Sequence, residues 1–97
     1  MNKMRFDVSC VKEELKKKGV VFTVRGYLLE GIDYRFVYVD GVGLCWRELV
    51  GEIRGKNDLV EFVGRSGFSN VDGWWLKIVG FCGGKKWLYR VMVYRNG

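Results

Sequence analysis

The chain contains no histidine and no proline. Without an imidazole, neither a Ser-His nor a Cys-His catalytic arrangement can be built. Without a histidine ligand, a zinc site would need carboxylates to complete it. Without proline, no strand is excluded by a missing ladder N–H. Alanine and glutamine are absent as well, and threonine occurs once, at Thr23. Nothing in the chain's chemistry explains those omissions. Cysteine is scarce: Cys10, Cys45 and Cys82 make an odd set with no C-x-x-C spacing. They read as reduced thiols acting as small hydrophobes, not as a disulfide frame, and no metal or cofactor is implied. No apolar run approaches the roughly 18–20 residues of a membrane span. The basic start, Met1-Asn2-Lys3-Met4-Arg5, is not followed by the apolar core of a signal peptide. A cytoplasmic protein with no membrane partner is the default expectation.

What is present is enough for one domain over residues 1–97, 48% hydrophobic and 15% aromatic. A domain of this size needs those aromatic side chains inside. Lysine and arginine number 17 against 11 acids, for a net charge of +6. A small basic domain commonly meets a polyanion. The basic residues are dispersed, so a merely cationic soluble protein stands beside that reading.

The region from Gly64 to Gly80 organises the chain. Ser69 reads as a helix N-cap, with Asp72 three residues on in a capping box. Val71, Trp74, Trp75, Ile78 and Val79 fall on one helical face, and Gly80 marks the stop. Two adjacent tryptophans make this helix a lid on the core. Gly73 within it costs about 1 kcal/mol relative to alanine.

Ahead of it, Phe6 to Lys18 reads as a helix with Val8, Val11 and Leu15 as a narrow stripe. Asp7 or Ser9 can cap it, Glu13 and Lys17 are an i, i+4 pair, and Gly19 ends it. Lys16, Lys17 and Lys18 suit the negative end of the helix dipole; they read as a solvated end or as a phosphate clamp. Val20 to Arg25 is a β-branched strand. Tyr27 to Asp33 connects through Gly31 to a second strand, Tyr34 to Val39, and Asp40-Gly41 is a turn. Gly43 to Arg54 is a third strand with a bulge or split near Gly51. Asn57 can cap a short helix through Val63, with Leu59, Phe62 and Val63 inward and Gly64 as its stop. Phe81 to Lys86 is a Gly-Gly-Lys-Lys loop without the spacing or following helix of a phosphate loop. Trp87 to Arg95 is the last strand, alternating Trp87, Tyr89, Val91 and Val93 against Leu88, Arg90, Met92 and Tyr94. The pattern does not place Trp46 or Trp87. This order predicts an α+β domain with a small, strongly curved sheet.

Two stretches together resemble a known family. One is Lys18-Gly19-Val20-Val21-Phe22-Thr23-Val24-Arg25, a lysine-rich helix end and a strand closing in Thr-x-Arg. The other is Ser66-Gly67-Phe68-Ser69, followed by a short aromatic helix and a strand rich in valine and tyrosine. Across roughly Val11 to Arg95 the chain resembles the ASCH domain, a branch of the PUA-like β-barrels. The resemblance implies a small barrel of five or six strands, with an N-terminal helix and a helix pair before the last strand. It also implies a cleft between barrel and helices. Family members are associated with RNA, and some small ones resemble amidohydrolases acting on acetylated cytidine. Thr23 and Arg25 match the family's Thr-x-Arg. The family's lysine position is Val20 here, and its acidic position is Ser66, whose hydroxyl cannot act as a charged acid or base at neutral pH. Two of three catalytic positions are thus replaced, which turns the pocket into a binding site. The expectation is an RNA-binding module, with DNA as another partner. Arg25 and Thr23 would lie in the cleft, with Lys17, Lys18, Arg65, Ser66, Lys85 and Lys86 around it. The enzymatic alternative uses Thr23 as nucleophile and Lys18 as its amine. A protein-interaction domain is the third reading.

Overall fold

The computed structural model describes residues 2–6, 8–28 and 35–94. Within them the order is β1 (Asn2–Met4), α1 (Ser9–Lys18), β2 (Val20–Arg25), β3 (Phe36–Val39) and β4 (Gly43–Ile53). A 3-10 helix (Lys56–Arg65), α2 (Val71–Phe81) and β5 (Lys86–Val93) follow. The five strands form one sheet in the order β1-β3-β4-β5-β2. β1 runs parallel to β3 and the other neighbours are antiparallel. The fold is mixed α+β, and the sheet curls into a half-barrel, not a closed one.

Strand alternation divides the interior in two. On one face Val21, Val37, Val39, Cys45 and Val91 join Met4 and bury Val11 and Leu15 of α1. On the other face Phe22, Val24, Leu88 and Ile53 meet Leu59 of the 3-10 helix and Trp74 and Ile78 of α2. Consecutive Leu88 and Tyr89 are both fully buried, because β5 lies between β4 and β2 with cover on both sides. The simple two-sided pattern read for the last strand therefore has two inner faces along this stretch.

β2 has the expected limits, and α1 ends at Gly19, whose φ of 76° lets its N–H donate to the Leu15 carbonyl at 2.9 Å. The expected start at Phe6 moves to Ser9, because Val8 is extended and caps without a side-chain bond. The alternative cap Asp7 lies outside the described residues. The carboxylates pair as Glu13–Lys16 and Glu14–Lys18, not Glu13–Lys17. The bulge falls where expected, with the β4–β5 register shifting between Leu49 and Gly51. β1 has no counterpart in the sequence reading, since three residues are too few to show a period. Residues 29–34, with the Gly31 turn and Tyr34, lie outside the described residues, as does Arg95.

The helix caps need correction. Gly55, not Asn57, is the N-cap of the 3-10 helix, and the Asp58 carboxylate in its first turn reaches back to accept from the Arg54 and Gly55 backbone N–H groups at 2.9 and 3.3 Å. That helix runs past Gly64 to Arg65. Asn70, not Ser69, caps α2, accepting from the Gly73 N–H at 2.7 Å. Asp72 closes no capping box; its carboxylate accepts from the Lys56 ammonium at 2.7 Å and ties the two helix starts together. Gly80 does not stop α2, because the Cys82 N–H still donates to the Ile78 carbonyl at 2.7 Å. Trp74 is buried as the lid predicts, while Trp75 is half-buried beneath the Lys86 ammonium, 5.7 Å from its centroid. Val79 is exposed.

Candidate functional site

A cleft of about 370 Å³ opens between the segment before α1, the end of β2 and the inner side of α2. Its aromatic wall comes from Phe6, Tyr27, Phe68, Trp74 and Phe81. Its charged wall residues, among those described, are Arg25 and Lys77, both cations. Each is placed by its element. Arg25 is the last residue of β2, on the same side of the strand as Thr23 and Val21. Its guanidinium donates to the Arg5 carbonyl at 2.9 Å and lies 5.0 Å from the Phe6 ring centroid. Those contacts hold the cation at the cleft and limit the ordering cost of binding an anion.

Thr23 also lines the cleft but is only 7% exposed. Its register partner on β5 is Tyr89, whose hydroxyl donates to the Tyr27 carbonyl at 2.9 Å. That bond fixes the chain as it leaves β2. The buried Arg47 guanidinium lies 5.8 Å from the Tyr89 centroid. A cation on the ring face supports the tyrosine from behind.

The Ser66-Gly67-Phe68 segment joins the 3-10 helix to α2 and has a structural cause at each residue. Ser66 is fully buried; its hydroxyl donates to the Val63 carbonyl at 2.8 Å and accepts from the Phe68 N–H at 3.1 Å. Gly67 has φ of 88°, and a Cβ there would lie 2.5 Å from the Cys10 carbonyl oxygen of α1. Only glycine allows that approach. Phe68 then lines the cleft and stacks on Trp74, with centroids 6.4 Å apart and planes at 15°.

The site residues read from the sequence are not gathered on one surface. Thr23 and Arg25 share the cleft. Lys18 and Arg65 instead flank a shallow depression with Phe22 and Phe62. Phe22 and Thr23 are consecutive in a strand, so their side chains leave opposite faces. Thr23 and Lys18 therefore line different depressions and do not form a nucleophile with its amine. Lys17 is exposed on the last turn of α1. Lys85 is exposed beyond α2, and the Lys86 ammonium donates to the Gly84 carbonyl at 2.8 Å. Ser66 belongs to the framework, not the binding surface. The sequence reading missed Lys77, Phe6, Tyr27 and Phe81. For Lys77 a signal existed: it follows Trp74 by three residues, on an adjoining face of the same helix.

All three cysteines are free. Cys82 reaches the cleft wall, and burial raises the Cys45 thiol pKa above its ordinary 9.0. Among the described residues no three cysteine, aspartate or glutamate side chains come together as metal ligands. No described helix is long and apolar enough to cross a membrane. No protein-family model matches the chain, and comparisons with curated proteins and with solved structures find no match.

Proposed function

We propose that the chain is an RNA-binding module that takes an unpaired base into the Arg25 cleft. The observation that carries this reading is an aromatic-walled cleft whose described charged side chains are both cations. Single-stranded bases are held by stacking on aromatic faces, and the adjoining phosphates by arginine and lysine. The volume sits near the lower end of the roughly 300–1,000 Å³ of small-ligand pockets, which suits one flat ring and not an extended chain. Arg25 contacts the phosphate or a base edge, and Lys77 holds the backbone on the opposite wall. Thr23 shapes the floor. The resemblance to ASCH domains points the same way, and in this reading the half-barrel with its N-terminal helix and helix pair is a small PUA-like architecture.

The test is a fluorescence-anisotropy titration of labelled single-stranded RNA, structured RNA and duplex DNA at about 50 and 200 mM salt. Wild type and Arg25→Ala are compared. Loss of one charged contact weakens RNA binding by about tenfold or more. It also lowers the salt dependence by about 0.7 in log–log slope. Equal binding by both proteins removes Arg25 and the cleft from the account. No binding at low salt removes the nucleic-acid reading.

A further inference from the structure

The face of the sheet turned away from α1 is covered unevenly. Over β2 and the start of β5, the 3-10 helix and α2 bury Leu88 and pack on Phe22 and Val24. Over β3, the start of β4 and the end of β5, large rings stay in contact with solvent. Phe36 is 40% exposed, Tyr38 41% and Tyr94 46%. The cause is the strand pleat: Phe36 and Tyr38 alternate with Val37 and Val39, which are buried against α1. The Phe36 ring meets Trp46 edge-on at 4.9 Å between centroids, and Tyr94 at 5.7 Å. Phe36, Trp46 and Tyr94 thus form one connected aromatic surface, and Tyr38 lies two residues along the same side of β3.

Among the described residues, the unpaired charges beside it are positive. The Arg35 guanidinium lies 5.7 Å from the Trp46 centroid. Lys3 is exposed and stands in register with Tyr38. Arg90 projects on the same face and pairs with Glu48, so that carboxylate is already compensated. Past Phe22 the face leads to the depression flanked by Lys18 and Arg65, where Glu61 and the Glu14 partner of Lys18 balance the charge. A second copy of this face would bring Arg35 and Lys3 against their own kind, which opposes self-association. A polyanion whose bases have flat rings satisfies both features at once.

We propose that the open β3–β4–β5 face is a stacking platform for single-stranded nucleic acid, separate from the Arg25 cleft. Bases lie against Phe36, Tyr38 and Trp46, and phosphates meet Arg35 and Lys3. The platform rests on its own observation and stands if the cleft reading falls.

The experiment uses a labelled ten-nucleotide oligouridylate and its deoxythymidylate counterpart, titrated with wild type, Phe36→Leu/Tyr38→Leu, Arg35→Ala and Arg25→Ala. Leucine keeps most of the apolar area and removes the π-face; losing the Phe36 ring contacts lowers the melting temperature by several degrees, and a cooperative melt checks that the fold persists. Stacking predicts affinity lower by about five- to a hundredfold in the leucine pair. It also predicts a shallower salt dependence in Arg35→Ala. Unchanged affinity in the leucine pair overturns the platform; loss in Arg25→Ala alone assigns all binding to the cleft. Loss in the leucine pair with none in Arg25→Ala keeps the platform and removes the cleft. Dimerisation of the wild type in sedimentation, abolished by the leucine pair, would identify a second copy as the occupant and overturn the proposal.

Discussion

Gly67→Ala puts the joint between the helix pair and α1 under a defined load. The new Cβ would lie 2.5 Å from the Cys10 oxygen, 2.8 Å from the Cys10 carbonyl carbon and 2.9 Å from the Val11 Cα. All three are backbone atoms of α1, which cannot rotate aside as a long side chain can. The φ of 88° adds a second cost, since left-handed backbone disfavours a side chain by about 1–2 kcal/mol. Forcing extra volume into a packed joint costs about 1–3 kcal/mol. Together they give about 2–5 kcal/mol, a large share of the roughly 5–15 kcal/mol that holds a domain. Urea unfolding followed by tryptophan fluorescence measures the loss, and a melting temperature lower by about 10 °C or more accompanies it. Gly83→Ala is the control, because no atom lies within 4 Å of its added Cβ; it should stay within about 0.5 kcal/mol of wild type. A Gly67→Ala protein as stable as Gly83→Ala would refute the close approach to α1.

Two further predictions concern the framework. Asn70→Ala removes the cap bond to Gly73 and costs about 1 kcal/mol, whereas Ser69→Ala leaves stability nearly unchanged; thermal melts distinguish them, and equal losses would contradict the assigned cap. Burial raises the folded-state pKa of Cys45 above its ordinary 9.0. Its contribution to stability is therefore complete at neutral pH and is lost as pH climbs above about 9 toward the folded pKa. The gap between wild type and Cys45→Val should shift against wild type between pH 8 and 10 in urea unfolding. With a thiol reagent at pH 8, half-buried Cys10 and Cys82 should react before Cys45; simultaneous reaction of all three would contradict the burial.

The sequence was most informative where one local rule decided the outcome. Val20 to Arg25 has no rival to a strand, and Gly19 before it suits only a left-handed cap. The uneven apolar pattern around Gly51 marked the register shift between Leu49 and Gly51. Neighbouring residues with equal talent defeated it. Ser69 and Asn70 are both good caps, and the extended backbone at Asn70 with its bond to Gly73 decides between them. Gly80 looked like a stop, but its backbone does not enter the left-handed region and α2 runs on to Phe81. The candidate site was half legible. Thr23 and Arg25 are two residues apart on one strand and were certain to share a face. Whether Lys18 and Arg65 joined them depended on which face Phe22 took and where the 3-10 helix docked. Neither fact is local. Ser66 drew attention as a site residue because it stands where the resembled family has an acidic residue before Gly-Phe; its buried bonds to Val63 and Phe68 use its hydroxyl for folding.

The most direct test of base binding in the cleft is amide shift mapping by NMR during titration with a short single-stranded RNA. Binding there predicts shifts clustered at Thr23, Arg25, Gly26 and Tyr27, and again at Lys77, Ile78, Phe81 and Cys82, which line the two walls. Shifts on β3 and β4 would add the open sheet face to the interface. A titration that saturates while the amides of both cleft walls stay unmoved would contradict the account.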